Sequence, residues 1–270
     1  MRRREPRAHW LLLSLFLLVL LAELALNGYV RHVGGEGTGP APAGTHGGPA
    51  PVAVTGGQPV QRVAADGTVT SRGVPARTIA LTFDDGPDPE WTPQILDVLA
   101  RYGAHATFFE IGRQVGSLAA TSRAVIRDGD VIGNHTWSHP DLTMQNTVAQ
   151  VRPTQAAIYT ATGFRPCLLR PPYGMAPAGV VGIARSLGLL TIQWDVDPAD
   201  WSRPGASVIA QRVLQAVRPG SIVIMHDGGG DRSETVQALG TIVPTLIGRG
   251  YHLVTVPQLL GLHPAYAYRR

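Results

Sequence analysis

The chain has 270 residues, room for one sizeable domain plus accessories. Its 23 basic residues, all Arg, face 19 acidic ones for a net charge of +4; part of that excess lies in the first seven residues, and no basic face of the kind that reads nucleic acid is apparent. A single cysteine, Cys167, excludes an intramolecular disulfide and a thiolate metal cluster, and its apolar run with Leu168 and Leu169 predicts a buried strand residue.

Residues 1–30 open with Arg2, Arg3, Arg4 and Arg7, followed by an apolar run over residues 10–22 that Ser14 alone interrupts. After Glu23 the run resumes at Leu24-Ala25-Leu26. A basic head before an apolar core predicts a signal anchor or signal peptide. No clean small-x-small cleavage site follows, which favours an uncleaved anchor, and the arginines would stay on the cytoplasmic side. The expected location is the cell membrane with an extracellular domain, or secretion if the segment is cleaved. Residues 31–74 are rich in Gly, Pro, Ala and Thr and poor in large apolar residues, and they read as a flexible linker. Within them Val60, Val63 and Val69 give mild strand character, so part of the stretch is able to dock.

From residue 75 to 262 short apolar runs alternate with amphipathic ones. Strands are predicted over 78–83, 106–111, 131–134, 167–170, 190–194, 221–225 and 251–254. Helices are predicted over 92–102, 118–127, 145–161, 177–187, 207–217 and 233–247. Residues 263–270 form a tail. This alternation predicts an α/β domain with a parallel sheet, and its seven or eight units predict a (β/α) barrel.

Polar clusters fall where the predicted strands end. Asp84 and Asp85 follow the first strand, His135 and His139 the third, and Arg170 and Tyr173 the fourth. Asp195, Asp197 and Asp200 follow the fifth, and His226 and Asp227 the sixth. A barrel would gather these on one rim, where barrel enzymes keep their chemistry. His135 and His139 lie on one side of a turn; with a carboxylate they make a two-His, one-carboxylate set, typical of a catalytic zinc site with an open position. Adjacent carboxylates are costly unless held, so one of the Asp84-Asp85 pair is expected on a metal and the other free to accept a proton.

Five segments carry a resemblance. Thr82-Phe83-Asp84-Asp85-Gly86-Pro87, His135-Thr136-Trp137-Ser138-His139, Arg170-Pro171-Pro172-Tyr173, Asp197-Pro198-Ala199-Asp200-Trp201 and Ile224-Met225-His226 resemble, in order, the five motifs of the polysaccharide deacetylase family, carbohydrate esterase family 4. The similarity covers residues 75–260; Ile224 departs from the family's usual Leu. The resemblance implies a distorted barrel in which Asp85, His135 and His139 bind Zn2+ or another divalent ion such as Co2+. It implies Asp84 as general base held by Arg170, and His226 as general acid oriented by Asp200. The Tyr173 N–H would join the oxyanion site, and Trp201 and Ile224 would line the pocket for the acetyl methyl.

The implied substrate is a carbohydrate polymer outside the cell. Peptidoglycan N-acetylglucosamine is favoured, then chito-oligosaccharide, with an acetylxylan-type O-deacetylase as the alternative. Two readings of other classes are a non-catalytic carbohydrate-binding surface protein and a membrane-tethered scaffold. The membrane is an expected partner through the N-terminal segment; no protein partner and no nucleic acid is inferred.

Overall fold

The computed structural model describes residues 61–63, 69–72 and 77–262. The predicted anchor, most of the linker and the tail lie outside them. Among the described residues no helix is long and apolar enough to cross a membrane. Inside the stretch read as linker, β1 (Gln61–Val63) pairs antiparallel with β2 (Val69–Arg72), and Val69 is buried where it bridges Ile192. The docking hinted at by its valines is present at that point.

The central strand is β3 (Thr78–Gly86), buried on both faces as parallel strands under helices are. Side chains alternate along a strand, so its residues split into two sets. Ile79, Leu81 and Phe83 join the larger apolar core. That core contains Ile95 and Leu99 of α1 (Trp91–Arg101), with Phe108 of β4 (Ala106–Glu110) and Ile132 of β5 (Val131–Asn134). Ala80 faces the other way, into the second core with Phe109, Leu168, Ile192 and Ile222. Thr82 and Asp84 continue the Ala80 column, so a carboxylate emerges on the inner face at the strand's carboxyl end.

The chain then runs through α2 (Gly112–Val115) and α3 (Ala119–Arg127) between β4 and β5, and α4 (Met144–Thr162) before β6 (Leu168–Leu169). A 3-10 turn (Pro172–Gly174) and α5 (Ala178–Ser186) lead to β7 (Leu190–Thr191). A second 3-10 turn (Asp200–Ser202) and α6 (Ala206–Ala216) precede β8 (Ile222–His226). The chain continues through α7 (Ser233–Gly248), β9 (His252–Leu253) and α8 (Val256–Leu260).

The seven-stranded sheet runs β7-β6-β5-β4-β3-β8, with β9 pairing the start of β3, and each of these pairings is parallel. The α/β architecture expected from the alternation is present, and the distorted barrel takes the form of a part-barrel. β6 and β7 are two residues each, and beyond β7 the chain leaves the ladder. Its main chain bonds to that of β8 through Asp195 N and Val196 N on Ile222 O and Ile224 N on Val196 O, and the Asp195 and Asp200 carboxylates accept from Ile222 and His226 of the same strand. The sheet is therefore a curled part-barrel, and the segment after β7 bridges its far edge where Val196 pairs with Val223.

Register puts the chemistry on one rim. Asp84 lies opposite His226, Gly86 opposite Glu110, Glu110 opposite Asn134, and Asn134 opposite Leu169, one residue before Arg170.

Candidate active site

The pairing of β3 with β4 slips between Asp84 and Gly86, leaving Asp85 as the extra residue of a bulge at φ 74°. A bulge breaks the alternation of faces and re-aims a side chain. Consecutive carboxylates thereby approach one imidazole: His135 Nε2 is 3.8 Å from Asp84 Oδ2 and 3.5 Å from Asp85 Oδ1.

Asp84 is claimed by Arg170. This guanidinium is fully buried, and its Nη1 donates to Asp84 Oδ1 at 2.7 Å and to Thr82 Oγ1 at 2.7 Å. One nitrogen reaches both because residues two apart on a strand share a face. Nε and Nη2 donate to the carbonyls of Ile192 and Gln193, and the guanidinium plane lies 4.1 Å from the Phe109 ring centroid. A buried charge pair needs further hydrogen bonds to offset its desolvation, and here each of the three guanidinium nitrogens has an acceptor.

Asp85 is turned to the histidines. Its Oδ1 lies 3.3 Å from His139 Nε2 as well as close to His135, and ligand atoms of Asp85, His135 and His139 all fall within 4.8 Å of one another. His135 Nδ1–H donates to the Arg170 carbonyl at 2.7 Å, which fixes the tautomer and aims the bare Nε2 at Asp85. Local hydrogen bonds shape the His135–His139 turn: Asn134 Oδ1 accepts from Thr136 N, and Gln150 Oε1 accepts from Trp137 N and Ser138 N. Thr136 and His139 take positive φ of 68° and 60°, and the His139 ring meets the Tyr173 ring edge-on at 4.8 Å.

The electrostatics follow burial and neighbours. Burial works against the Asp85 carboxylate, but His135 and the charges of His226 and His139 outweigh it and hold Asp85 well below the ordinary carboxylate range. Burial likewise opposes the His135 cation, while Asp84 and Asp85 raise its value overall; at His139, burial and His135 together win and lower it. Asp85 Oδ1 is buried and accepts no hydrogen bond. An orphaned carboxylate oxygen facing two imidazole nitrogens is a donor set that suits a divalent ion of the zinc type.

Across the rim, Asp200 is buried and accepts from His226 twice, from the ring Nδ1–H at 2.8 Å and from the main-chain N–H at 2.9 Å, while Thr235 donates its hydroxyl to the same carboxylate at 2.7 Å. With Nδ1 so occupied, Nε2 of His226 is the nitrogen open to chemistry. Burial opposes the His226 cation, yet the Asp200 hydrogen bond and the charges of Asp200, Asp84 and Asp85 raise its value above the ordinary imidazole range.

The expected site residues all lie among the described residues. Asp84, Asp85, His135, His139, Arg170, Asp200 and His226 form linked pairs. Tyr173 stands at φ 58° in the first 3-10 turn, with a 69% exposed side chain. Ile224 is buried two residues before His226 in β8. Trp201 is 58% exposed, more open than a closed pocket wall. Asp195 accepts from Ser221 and Ile222 N, and Asp197 from Ala199 N, in keeping with structural roles. Thr82, which opens the first motif, and Thr235 were given no role from the sequence, because each meets a charged partner far away in the chain. Asp227 is buried beside the site: Thr92 donates to it, its own N–H donates to the Asp84 carbonyl, and burial with the Asp85 and Asp84 charges pushes its carboxyl up to about 7.

Comparison with known proteins gives the same direction. Residues 71–192 match the family described as polysaccharide deacetylase. The chain is 41% identical over 192 residues to a peptidoglycan-N-acetylglucosamine deacetylase of Bacillus cereus, covering 68% of this chain and 88% of that one. It is 38% identical over 205 residues to a chitooligosaccharide deacetylase of Sinorhizobium fredii, covering 71% and 95%. The crystal structure of the Bc1960 peptidoglycan N-acetylglucosamine deacetylase superposes with a TM-score of 0.68 at 34% identity, over 70% of this chain and 91% of that one. BA3943 of Bacillus anthracis, described as a pseudoenzyme of carbohydrate esterase family 4, also reaches 0.68, at 31% identity over 73% and 70%.

Proposed function

The chain belongs to the polysaccharide deacetylase family, and on that premise we propose that it is a zinc-dependent hydrolase of N-acetyl groups on an extracellular amino sugar polymer. Peptidoglycan N-acetylglucosamine is the favoured substrate and chito-oligosaccharide the next, in line with the relatives of both kinds. The observation that carries the reading is one rim holding the Asp85, His135 and His139 cluster, with Asp84 opposite His226 in register. A likeness to a pseudoenzyme means that the fold alone does not imply activity. The non-catalytic alternative is disfavoured because base, acid and metal-holding residues are all present.

Asp85, His135 and His139 would hold the ion. A divalent ion there supplies Lewis-acid polarisation and a more acidic water. The protein's own residues do the rest. Asp84, fixed by Arg170, accepts the proton of the attacking water. The main-chain N–H of Tyr173 donates to the oxygen that gains charge, a contribution worth about 3–4 kcal/mol for one such donor. His226, its Nδ1–H held by Asp200, gives the Nε2 proton to the departing sugar nitrogen. Ile224 and Trp201 bound the acetyl methyl.

The acid role gives a pH prediction. His226 must be protonated to act, so kcat/KM falls as pH rises through its raised value. Asp200→Asn weakens the support for the cation and moves that alkaline limb to lower pH, and His226→Ala lowers kcat by about 10²–10⁴-fold. A pH–rate profile checks both; an alkaline limb unmoved by Asp200→Asn would remove Asp200 from this role.

The basic head and apolar run of residues 1–30 support export, either anchored or released. The test of the whole reading is acetate release by the zinc-loaded full-length protein from peptidoglycan, chito-oligosaccharides and acetylxylan side by side. Release from an amino sugar polymer is expected; release from acetylxylan alone would replace the N-deacetylase reading with the O-deacetylase one.

A further inference from the structure

Arg232 is buried at the entrance to α7, and its guanidinium turns to main-chain carbonyls rather than into solvent. Nε donates to Gly228 O at 2.7 Å, Nη2 to Gly229 O at 3.1 Å, and Nη1 to Trp201 O at 3.4 Å. The two glycines so gripped lie directly against the bulge residue of β3. A Cβ on Gly228 would fall on the Asp85 carbonyl. A Cβ on Gly229, which sits at φ 75°, would stand 2.7 Å from Asp85 Oδ2 and 3.4 Å from Arg232 Nη2. The bare Cα side of Gly229 thus faces both the guanidinium and the outer oxygen of the carboxylate, Gly228 packs on the Asp85 carbonyl, and the other carboxylate oxygen faces His135 and His139.

Asp85 needs such a backing. It occupies the left-handed region at φ 74° without being glycine. Such conformations persist only where the surroundings over-determine them. Its Oδ1 has no hydrogen-bond donor to fix the side-chain angle.

We infer that Arg232 is a positioning residue for the metal-holding carboxylate: by gripping the Gly228 and Gly229 carbonyls it presses their main chain onto Asp85 and sets the angle at which Oδ1 meets the two imidazoles. This rests on the metal site proposed above. Groups that act on a metal ligand from behind change metal affinity by about 10–100-fold when lost. A brace serving the loop alone would change stability and leave the affinity of the folded protein untouched.

The experiment is a zinc titration of the full-length protein against a chromophoric chelator, for the parent and four variants. Arg232→Met, which removes the grip on the two carbonyls, and Gly229→Ala, which sets a methyl 2.7 Å from Asp85 Oδ2 and displaces the carboxylate directly, are each expected to weaken zinc binding by about 10–100-fold. Arg232→Lys, which keeps one donor, falls between them and the parent. Arg203→Ala breaks the exposed ion pair of Arg203 with Asp231 at the neighbouring loop and leaves zinc affinity at the parental value. With Co2+ in place of zinc, the visible absorption of Arg232→Lys shifts, reporting an altered ligand angle. Zinc affinity within about twofold of the parent in folded Arg232→Met would overturn the inference, given the size expected of such contacts. If Arg232→Met does not fold, parental affinity in Arg232→Lys overturns it equally. A parent that binds no zinc would instead remove the metal-site reading on which it stands.

Discussion

Asp84→Asn lowers kcat by about 10²–10⁴-fold while zinc stays bound, the scale expected for removing a general base. The two halves of that result come from different neighbours. The Asp84 carboxylate is held by Arg170 Nη1 at 2.7 Å, whereas the Asp85, His135 and His139 cluster is complete without it. Asn keeps the shape of Asp and still accepts from Arg170, so the site's geometry survives while the proton acceptor is lost. The variant also leaves the buried Arg170 cation without its counter-charge, and breaking a buried pair from one side costs about 3–5 kcal/mol. A lower unfolding midpoint is therefore expected alongside the lost rate. Both are measured at a temperature well below that midpoint, so that the rate reports on folded protein. Near-parental kcat would show that Asp84 is not the base.

Asp85→Ala produces the complementary result. Zinc content after dialysis falls from about one ion per chain to near none, because two imidazoles without a carboxylate fall short of the three protein ligands of a catalytic site. Acetate release disappears with the ion. In the parent, zinc at about 1,000 times its dissociation constant stabilises the fold by roughly 4 kcal/mol; in Asp85→Ala that zinc-dependent rise in the thermal midpoint vanishes. Chelation of the parent mimics the substitution, and added zinc reverses the chelation but not the substitution. Unchanged zinc content in Asp85→Ala would take Asp85 out of the ligand set.

The contrast between these neighbouring aspartates shows what a sequence can and cannot carry. The strand over 131–134 was legible to the residue, since Val131-Ile132-Gly133-Asn134 sits between clear turn signals. The strand predicted over 78–83 stops three residues short of β3, because Asp84-Asp85-Gly86 reads as a turn. It is instead a bulge, and a bulge is a property of register with a partner strand, which no local pattern encodes. Spacing alone left Asp84 and Asp85 interchangeable. The resemblance divided their roles, and the structure supplies a physical reason for the division in Arg170, from 86 positions along the chain.

The distortion of the barrel was not legible in detail for a related reason. Alternating apolar and amphipathic runs announce the units, but the two-residue lengths of β6 and β7 depend on where the chain turns away after Thr191. The helix α8 was legible in retrospect: Thr255 and Gln258 form a capping box with Pro257 in the first turn. Arg232 was hidden in a run of Gly and Asp that reads as loop, and only the carbonyls around its guanidinium give it meaning.

The central claim is that one rim of this part-barrel removes acetyl groups from the nitrogen of a sugar. Its most direct test measures acetate and free amine together, with the zinc-loaded full-length protein acting on N-acetylglucosamine polymers of peptidoglycan and chitin type. The account predicts acetate and amine in equal amounts, abolished by a chelator, restored by zinc, and nearly absent in Asp84→Asn. Zinc-loaded protein that releases neither product from either polymer would contradict it.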